Sequence, residues 1–435
     1  MKRLVDLSVI EKLYLGLLLV IFGGIVLHAP LTMAVGAVWP QAALMIKAWK
    51  EVLMIIAAVL MLAVLVRKKQ TGILREPLMI GIITYGALHI ILAIFSARSL
   101  GSTTSGLLID LRYVLFFALV YIAVRLYPAF RQVFVRVGIA GALVVTVFAL
   151  LQVFVLPVDV LKYIGYNNST IAPYLTVDQN TDYIRINSTL RGPNPLGAYA
   201  AIVLSVLLAW AVRKKGDTTP RQWVIASILL VGGAVALWVS YSRSALVGAI
   251  AAAGVIAALS VVKALGKKSW LIAGALVIII AAGLYGARHT SFVENVILHD
   301  NPTTGAVGTS NEGHLSSLQD GLKLLLENPF GAGVGSTGSA SFTTSAPLII
   351  ENQFLFIAHE VGWLGLVLFV MLLYGVMARL WQRRADWLAL GVFASGIAMI
   401  IINLLLPIWV DDTVSIVWWG LAAIAICSKK GQGDE

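Results

Sequence analysis

The chain has 435 residues, of which 59% are hydrophobic and 12% charged, with a net charge of +11. Soluble domains carry roughly 25% charged residues, so this composition excludes an ordinary soluble enzyme. The Lys and Arg residues lie in short clusters between apolar runs rather than on one face or tail, which excludes nucleic acid as a partner, and the single cysteine, Cys427, excludes an intramolecular disulfide or a cysteine metal cage.

In chain order, Lys2, Arg3 and Lys12 precede a first apolar run at 14–28. It resembles a signal peptide, but no small-x-small cleavage site follows, so it reads as a retained first helix. The apolar stretch 30–48 contains Pro30, Pro40 and Lys47, and reads as a re-entrant or interfacial piece. Further runs at 51–66, 77–96, 107–126, 136–156, 195–212, 222–241, 244–262, 270–286, 353–379, 386–406 and 408–427 predict spanning helices. The expected fold is an all-α integral membrane protein of about twelve transmembrane helices, forming one polytopic domain over 1–435.

Basic residues collect in alternate connections, as the positive-inside rule requires when the span count is right. That alternation predicts a multi-pass protein of the cytoplasmic membrane with both termini inside. Two long loops then fall outside, 157–194 and 287–352, the second with an amphipathic helix. Long loops in a compact fold commonly carry function.

The first of these loops contains Arg185 and ends in Arg191-Gly-Pro-Asn-Pro, directly before a span. Prolines and glycine fix the backbone there, so Arg191 is either an interfacial anchor or a rigidly held ligand for phosphate or diphosphate. Tyr241-Ser-Arg243-Ser-Ala forms a tight turn between two spans. A lone arginine at that depth pairs structurally, with Asp411 or Asp412, or binds an anion.

In the second long loop, leucines at 315, 318, 322, 325 and 326 mark a helical stripe from an N-cap at Asn311 to Pro329. His314 falls in its first turn, where the positive helix end suits a neutral imidazole able to accept or donate a proton; the alternative is a polar surface residue. The following Gly331–Gly338 segment lacks the preceding strand and following Lys-Ser/Thr of a nucleotide loop, and reads as a compact turn.

Glu351-Asn352 opens the next span, where Glu351 either pairs within the bundle or, as a partly desolvated carboxylate, does general-base work. Deeper in that helix His359 and Glu360 are expected to pair within the bundle, as are Asp110 and Arg112 in the fourth span. No cluster has metal-ligand spacing.

The Ser242–Ala245 turn, the helix ending Glu327-Asn-Pro-Phe-Gly-Ala-Gly-Val-Gly335, and Glu351-Asn-Gln-Phe-Leu running into Glu360-Val-Gly-Trp-Leu-Gly-Leu occur in a telling order. Over residues 190–380 the sequence resembles the O-antigen ligase and Wzy-type polymerase superfamily. The resemblance implies a glycosyltransferase type C-like fold and a metal-independent, inverting enzyme without cofactor. Such an enzyme moves a glycan from an undecaprenyl diphosphate carrier to a hydroxyl of a glycolipid or polysaccharide acceptor, in cell-surface polysaccharide biosynthesis among membrane lipids.

It further implies that Arg243 binds the diphosphate; Arg191 and Arg185 are expected to join it there, with Tyr241 and Asn352 supporting the site. The family's second arginine falls on His314 and its frequent His-Asn on Glu351-Asn352. Either Glu351 or His314 is then the catalytic base. A polysaccharide polymerase is the alternative within the same fold. A transporter or lipid-linked oligosaccharide flippase is the alternative of another class, but it would place its main ionisable groups at the bilayer midplane.

Overall fold

The computed structural model describes residues 7–96, 98–177, 180–213, 218–265, 290, 310–343 and 347–427, without the side chains of 42–44, 261–265, 310–315 and 343. Its helices are α1 (Val9–Gly24), α2 (His28–Val38), α3 (Ala43–Lys47), α4 (Trp49–Arg67), α5 (Pro77–Ile94), α6 (Leu100–Leu126) and α7 (Phe130–Phe154). A hairpin of β1 (Leu175–Val177) and β2 (Asn180–Arg185) precedes α8 (Pro193–Arg213), α9 (Pro220–Val239) and α10 (Arg243–Leu265). After them come α11 (Ser310–Glu327), α12 (Gln353–Gln382), α13 (Trp387–Asn403) and α14 (Asp412–Ile426).

Among the described residues, nine helices are long and apolar enough to cross a membrane, and α13 and α14 are shorter apolar helices. These cover eleven of the twelve predicted spans. The remaining one, 270–286, lies outside the described residues. At roughly 1.5 Å per residue α14 is only about 22 Å long, short of a hydrocarbon core of about 30 Å. It occupies the centre of the bundle, where its neighbours are protein: it packs on α6, and Trp418 and Trp419 are fully buried against Trp409, Tyr113 and Phe117. Helix α13 lies between α8 and α10 at very short range, and a Cβ on Gly391 would come within 2.6 Å of the Val206 backbone. Small residues permit such close helix approach where lipid supplies no hydrophobic drive for association.

The stretch 30–48, read as re-entrant or interfacial, adds no separate span: its first part is α2, which continues α1 through a 3-10 turn, so that Val9–Val38 forms one 30-residue apolar helix. Pro30 sits in the first turn of α2, where a missing N–H breaks no bond. The fold is mostly helical, as an all-α membrane protein requires, and within the first long loop the chain folds back as the short β1–β2 hairpin. Lastly, Asn311 lies inside α11, whose assigned start is Ser310, one residue earlier than expected.

Helix α12 is broken at Gly362, which has φ 71° and ψ −174°. The Trp363 N–H, which would bond to His359 in an unbroken helix, donates instead to the Pro329 carbonyl at 3.0 Å. The freed carbonyls of His359 and Glu360 accept from Ala332 N at 2.6 Å and Gly333 N at 3.2 Å. The Gly-rich segment is therefore more than a surface turn: it replaces the bonds that the break removes, as buried backbone requires.

The residues assigned by charge to the inner side share one end of the bundle. There Lys68 meets Glu11 at 2.7 Å, Arg125 meets Glu76 at 2.6 Å and Arg131 meets Asp386 at 2.8 Å. The described stretches of both long loops, 157–177, 180–194, 310–343 and 347–352, lie at the opposite end.

Candidate active site at the loop end of the bundle

The segment leading to Arg191 is pinned to α7. The Ser188 hydroxyl donates to the Val145 carbonyl at 2.7 Å, the Ser188 N–H donates to Gln152 Oε1 at 3.0 Å, and residues 186–190 are buried. Ser188 holds φ at 50°, uncommon for a residue with a side chain. Arg191 emerges exposed from this fixed base, two residues before α8.

The arginine turn is built against the same place. Position Gly197 in α8 is so close to the turn that a Cβ would meet Ser240 Oγ at 2.6 Å and Ala245 Cβ at 2.9 Å. Tyr241 holds φ at 47° and packs edge-on against Tyr183 of β2, with ring centroids 6.1 Å apart. Burial pushes the Tyr241 phenol pKa up, with Tyr183 adding to the shift. Arg185, at the end of β2, donates from Nε to the Ser240 carbonyl at 2.8 Å and from Nη2 to Asn194 Oδ1 at 2.6 Å. At least two of its five donors thus hold the turn and the start of α8 together. Arg243 follows as the half-buried first residue of α10.

On the other side, Asn352 caps α12. Its Oδ1 accepts from Phe354 N at 2.9 Å and Leu355 N at 3.0 Å, and its Nδ2 donates to the Leu404 carbonyl at 2.9 Å. The half-buried Glu351 donates its backbone N–H to Ser317 Oγ of α11 at 3.0 Å. His314 lies one helical turn before Ser317, a spacing that places the two positions on one face. Its side chain lies outside the described residues.

The two sides meet through the segment between α13 and α14. Asn352 holds Leu404 of that segment, and its last residue, Asp411, caps α14 by accepting from Thr413 N at 3.0 Å and Val414 N at 2.9 Å. Burial raises the pKa of the Asp411 carboxyl and Asp412 adds to the shift, while the Val414 N–H and the charges of Arg191 and Arg112 oppose it. Asp412, one of the two carboxylates expected beside Arg243, pairs with Arg112, with His28 Nε2 at 3.0 Å and with Lys50 at 3.6 Å.

The expected Asp110–Arg112 pair does not form. Residues two apart on a helix point in different directions. Arg112 turns to Asp412 and the Val410 carbonyl, whereas Asp110 faces Glu360 of α12. Glu360 finds its partners within the bundle, accepting from Gly335 N at 2.9 Å and Thr337 N at 3.2 Å, whereas His359 Nδ1 has no hydrogen-bond partner.

Sequence reading missed the buried cluster of His28, Lys50, Glu51, Arg112 and Asp412, although charge at span edges was its visible signal. It also passed over Arg98, whose Nε donates to the Ala332 carbonyl at 3.1 Å. Among the described residues, no group of three or more His, Cys, Asp or Glu side chains is placed to hold a metal ion.

No curated protein matches the chain. Residues 226–370 match the family model of the O-antigen ligases. That stretch runs from α9 into α12 and contains Tyr241, Arg243, His314, Glu351 and Asn352, while Arg185 and Arg191 precede it. The match supports the resemblance to the O-antigen ligase-like superfamily over this third of the chain.

Proposed function

We propose that the protein transfers a glycan from an undecaprenyl diphosphate carrier to an acceptor hydroxyl at the outer face of the cytoplasmic membrane. The observation that carries this reading is the O-antigen ligase match over 226–370, which includes Arg243 and Glu351 at the end of the bundle that also holds Arg191. The leaving diphosphate gathers negative charge as the anomeric C–O bond breaks, and fixed guanidiniums suit it by forked hydrogen bonding. A base removes the acceptor proton as the hydroxyl oxygen attacks from the opposite face, inverting the anomeric carbon. Glu351 is our choice of base, and His314 then helps to hold the diphosphate or the acceptor.

A cavity of about 280 Å³ favours a lipid-borne donor. It is lined by apolar residues of α7, α8, α9 and α14, from Tyr199 near the loop end of α8 to Trp210 near the other, roughly 16 Å apart at 1.5 Å per residue. An isoprenoid tail under a diphosphate at Arg191 has a path there between helices.

The test is a lipid extract from cells lacking the gene, together with the purified protein, the lipid-linked glycan and a chelator. Accumulated diphosphate-linked glycan in the cells and metal-independent transfer in vitro are expected. Unchanged lipid pools together with no transfer would refute the reading, and a ladder of lengthened lipid-linked glycan would assign polymerase chemistry instead.

A further inference from the structure

Beneath the Gly-rich segment, Asp110 of α6 and Glu360 of α12 are 3% and 1% exposed, and their carboxyl groups lie within hydrogen-bonding reach of one another. Two ionised carboxylates have no proton to share and repel, so such a contact requires one of the pair to be an acid. We infer that Asp110 is that acid and donates its proton to a Glu360 carboxylate, and that the pair is a positioning device for the loop from Pro329 to Gly338.

The backbone assigns the proton. Glu360 Oε2 accepts from Gly335 N at 2.9 Å and Oε1 from Thr337 N at 3.2 Å, so both oxygens serve as acceptors, the pattern of an ionised carboxylate. Asp110 Oδ2 has no partner and lies 3.8 Å from His89 Nε2, too far for a hydrogen bond. His89 Nδ1 sits 2.9 Å from the Tyr85 carbonyl, which only accepts, so Nδ1 carries the hydrogen and a neutral ring leaves Nε2 bare. Arg112 is turned away to Asp412 and supplies no direct partner for Asp110. Arg98, bonded to the Ala332 carbonyl, supplies positive charge near Glu360.

What the pair holds is specific. The Ser102 hydroxyl of α6 donates to the Gly335 carbonyl at 2.6 Å, and a Cβ on Gly106 would meet the Gly335 nitrogen at 2.4 Å, so the loop lies directly on α6. It connects α11, with His314 and Ser317, to the segment that carries Glu351 and Asn352. Asp110 and Glu360 thereby set the height of both at the loop end. This inference stands whatever reaction the protein performs.

The experiment uses the full chain in lipid nanodiscs, with infrared spectroscopy and hydrogen exchange as readouts. A carboxylic acid C=O band present at neutral pH should vanish in Asp110→Asn. The amide offers the same neutral donor, so that variant should keep exchange at Gly335 and Thr337 within about twofold of wild type. Asp110→Ala, which removes the donor, and Glu360→Gln, which turns an amide N–H toward backbone N–H groups, should each speed that exchange by about tenfold or more. The inference is overturned if no such band belongs to Asp110, if Asp110→Asn loosens the loop as much as Asp110→Ala does, or if Asp110→Asn fails to fold.

Discussion

Arg185 and Ser240 are 55 positions apart, yet the guanidinium Nε of one donates to the carbonyl of the other at 2.8 Å, tying the first long loop to the arginine turn. Because Nη2 also reaches Asn194, Arg185 acts as a two-point clamp rather than a lone cation. Arg185→Lys keeps the charge but not the fork. It is expected to lower transfer about tenfold by loosening Arg243, and Arg185→Ala to cost about 2 kcal/mol, the scale of hydrogen bonds from a charged donor. Thermal unfolding beside a transfer assay checks both.

Arg191 and Arg243 are expected to act on the same diphosphate. Arg243→Lys and Arg191→Lys should each cut transfer by about tenfold or more, since ammonium cannot reproduce a forked phosphate contact. Donor binding measured with a fluorescent lipid diphosphate should weaken alongside. Full transfer by Arg243→Lys would remove it from the site.

The base assignment is open to exchange. Glu351→Gln preserves shape and removes the base, so it should abolish transfer while leaving donor binding nearly intact. His314→Ala should weaken donor binding as well as transfer. Near-normal turnover by Glu351→Gln, with loss of turnover but unchanged donor affinity in His314→Gln, would swap the two roles.

The break in α12 depends on a residue without Cβ. At Gly362, with φ 71°, an added Cβ would lie 2.6 Å from the Phe330 carbonyl carbon. Gly362→Ala should therefore cost about 2 kcal/mol or more, from strain and from lost bonds to Pro329. A lowered melting temperature with faster hydrogen exchange over 329–333 is the expected signature.

Asp411 supplies the cap of α14 at an energetic cost. Since burial raises its carboxyl pKa above that of an unfolded chain, the folded state favours the acid, and stability falls as pH rises through the carboxylate range. Asp411→Asn keeps a good N-cap and carries no charge. The difference in melting temperature between variant and wild type should therefore shift in favour of Asp411→Asn as pH rises. Asp411→Ala should be about 1 kcal/mol less stable than Asp411→Asn at every pH, since neither titrates and only the amide caps the helix.

Apolar run length and the spacing of Lys and Arg were enough to establish a polytopic helical membrane protein, because a backbone in lipid must satisfy its own hydrogen bonds and a helix does so within one local segment. The order of the Ser242–Ala245 turn, the Gly-rich segment and Glu351-Asn352 was likewise legible, since it is a property of the chain itself. Partnership was not legible. Asp110 and Arg112 are neighbours in sequence, but helix rotation sends one to Glu360 and the other to Asp412, about 250 and 300 positions away. Helical periodicity gives no sign of the break at Gly362 either, because the carbonyls it frees are satisfied by residues 329–333, which reach it only when the chain has folded back on itself.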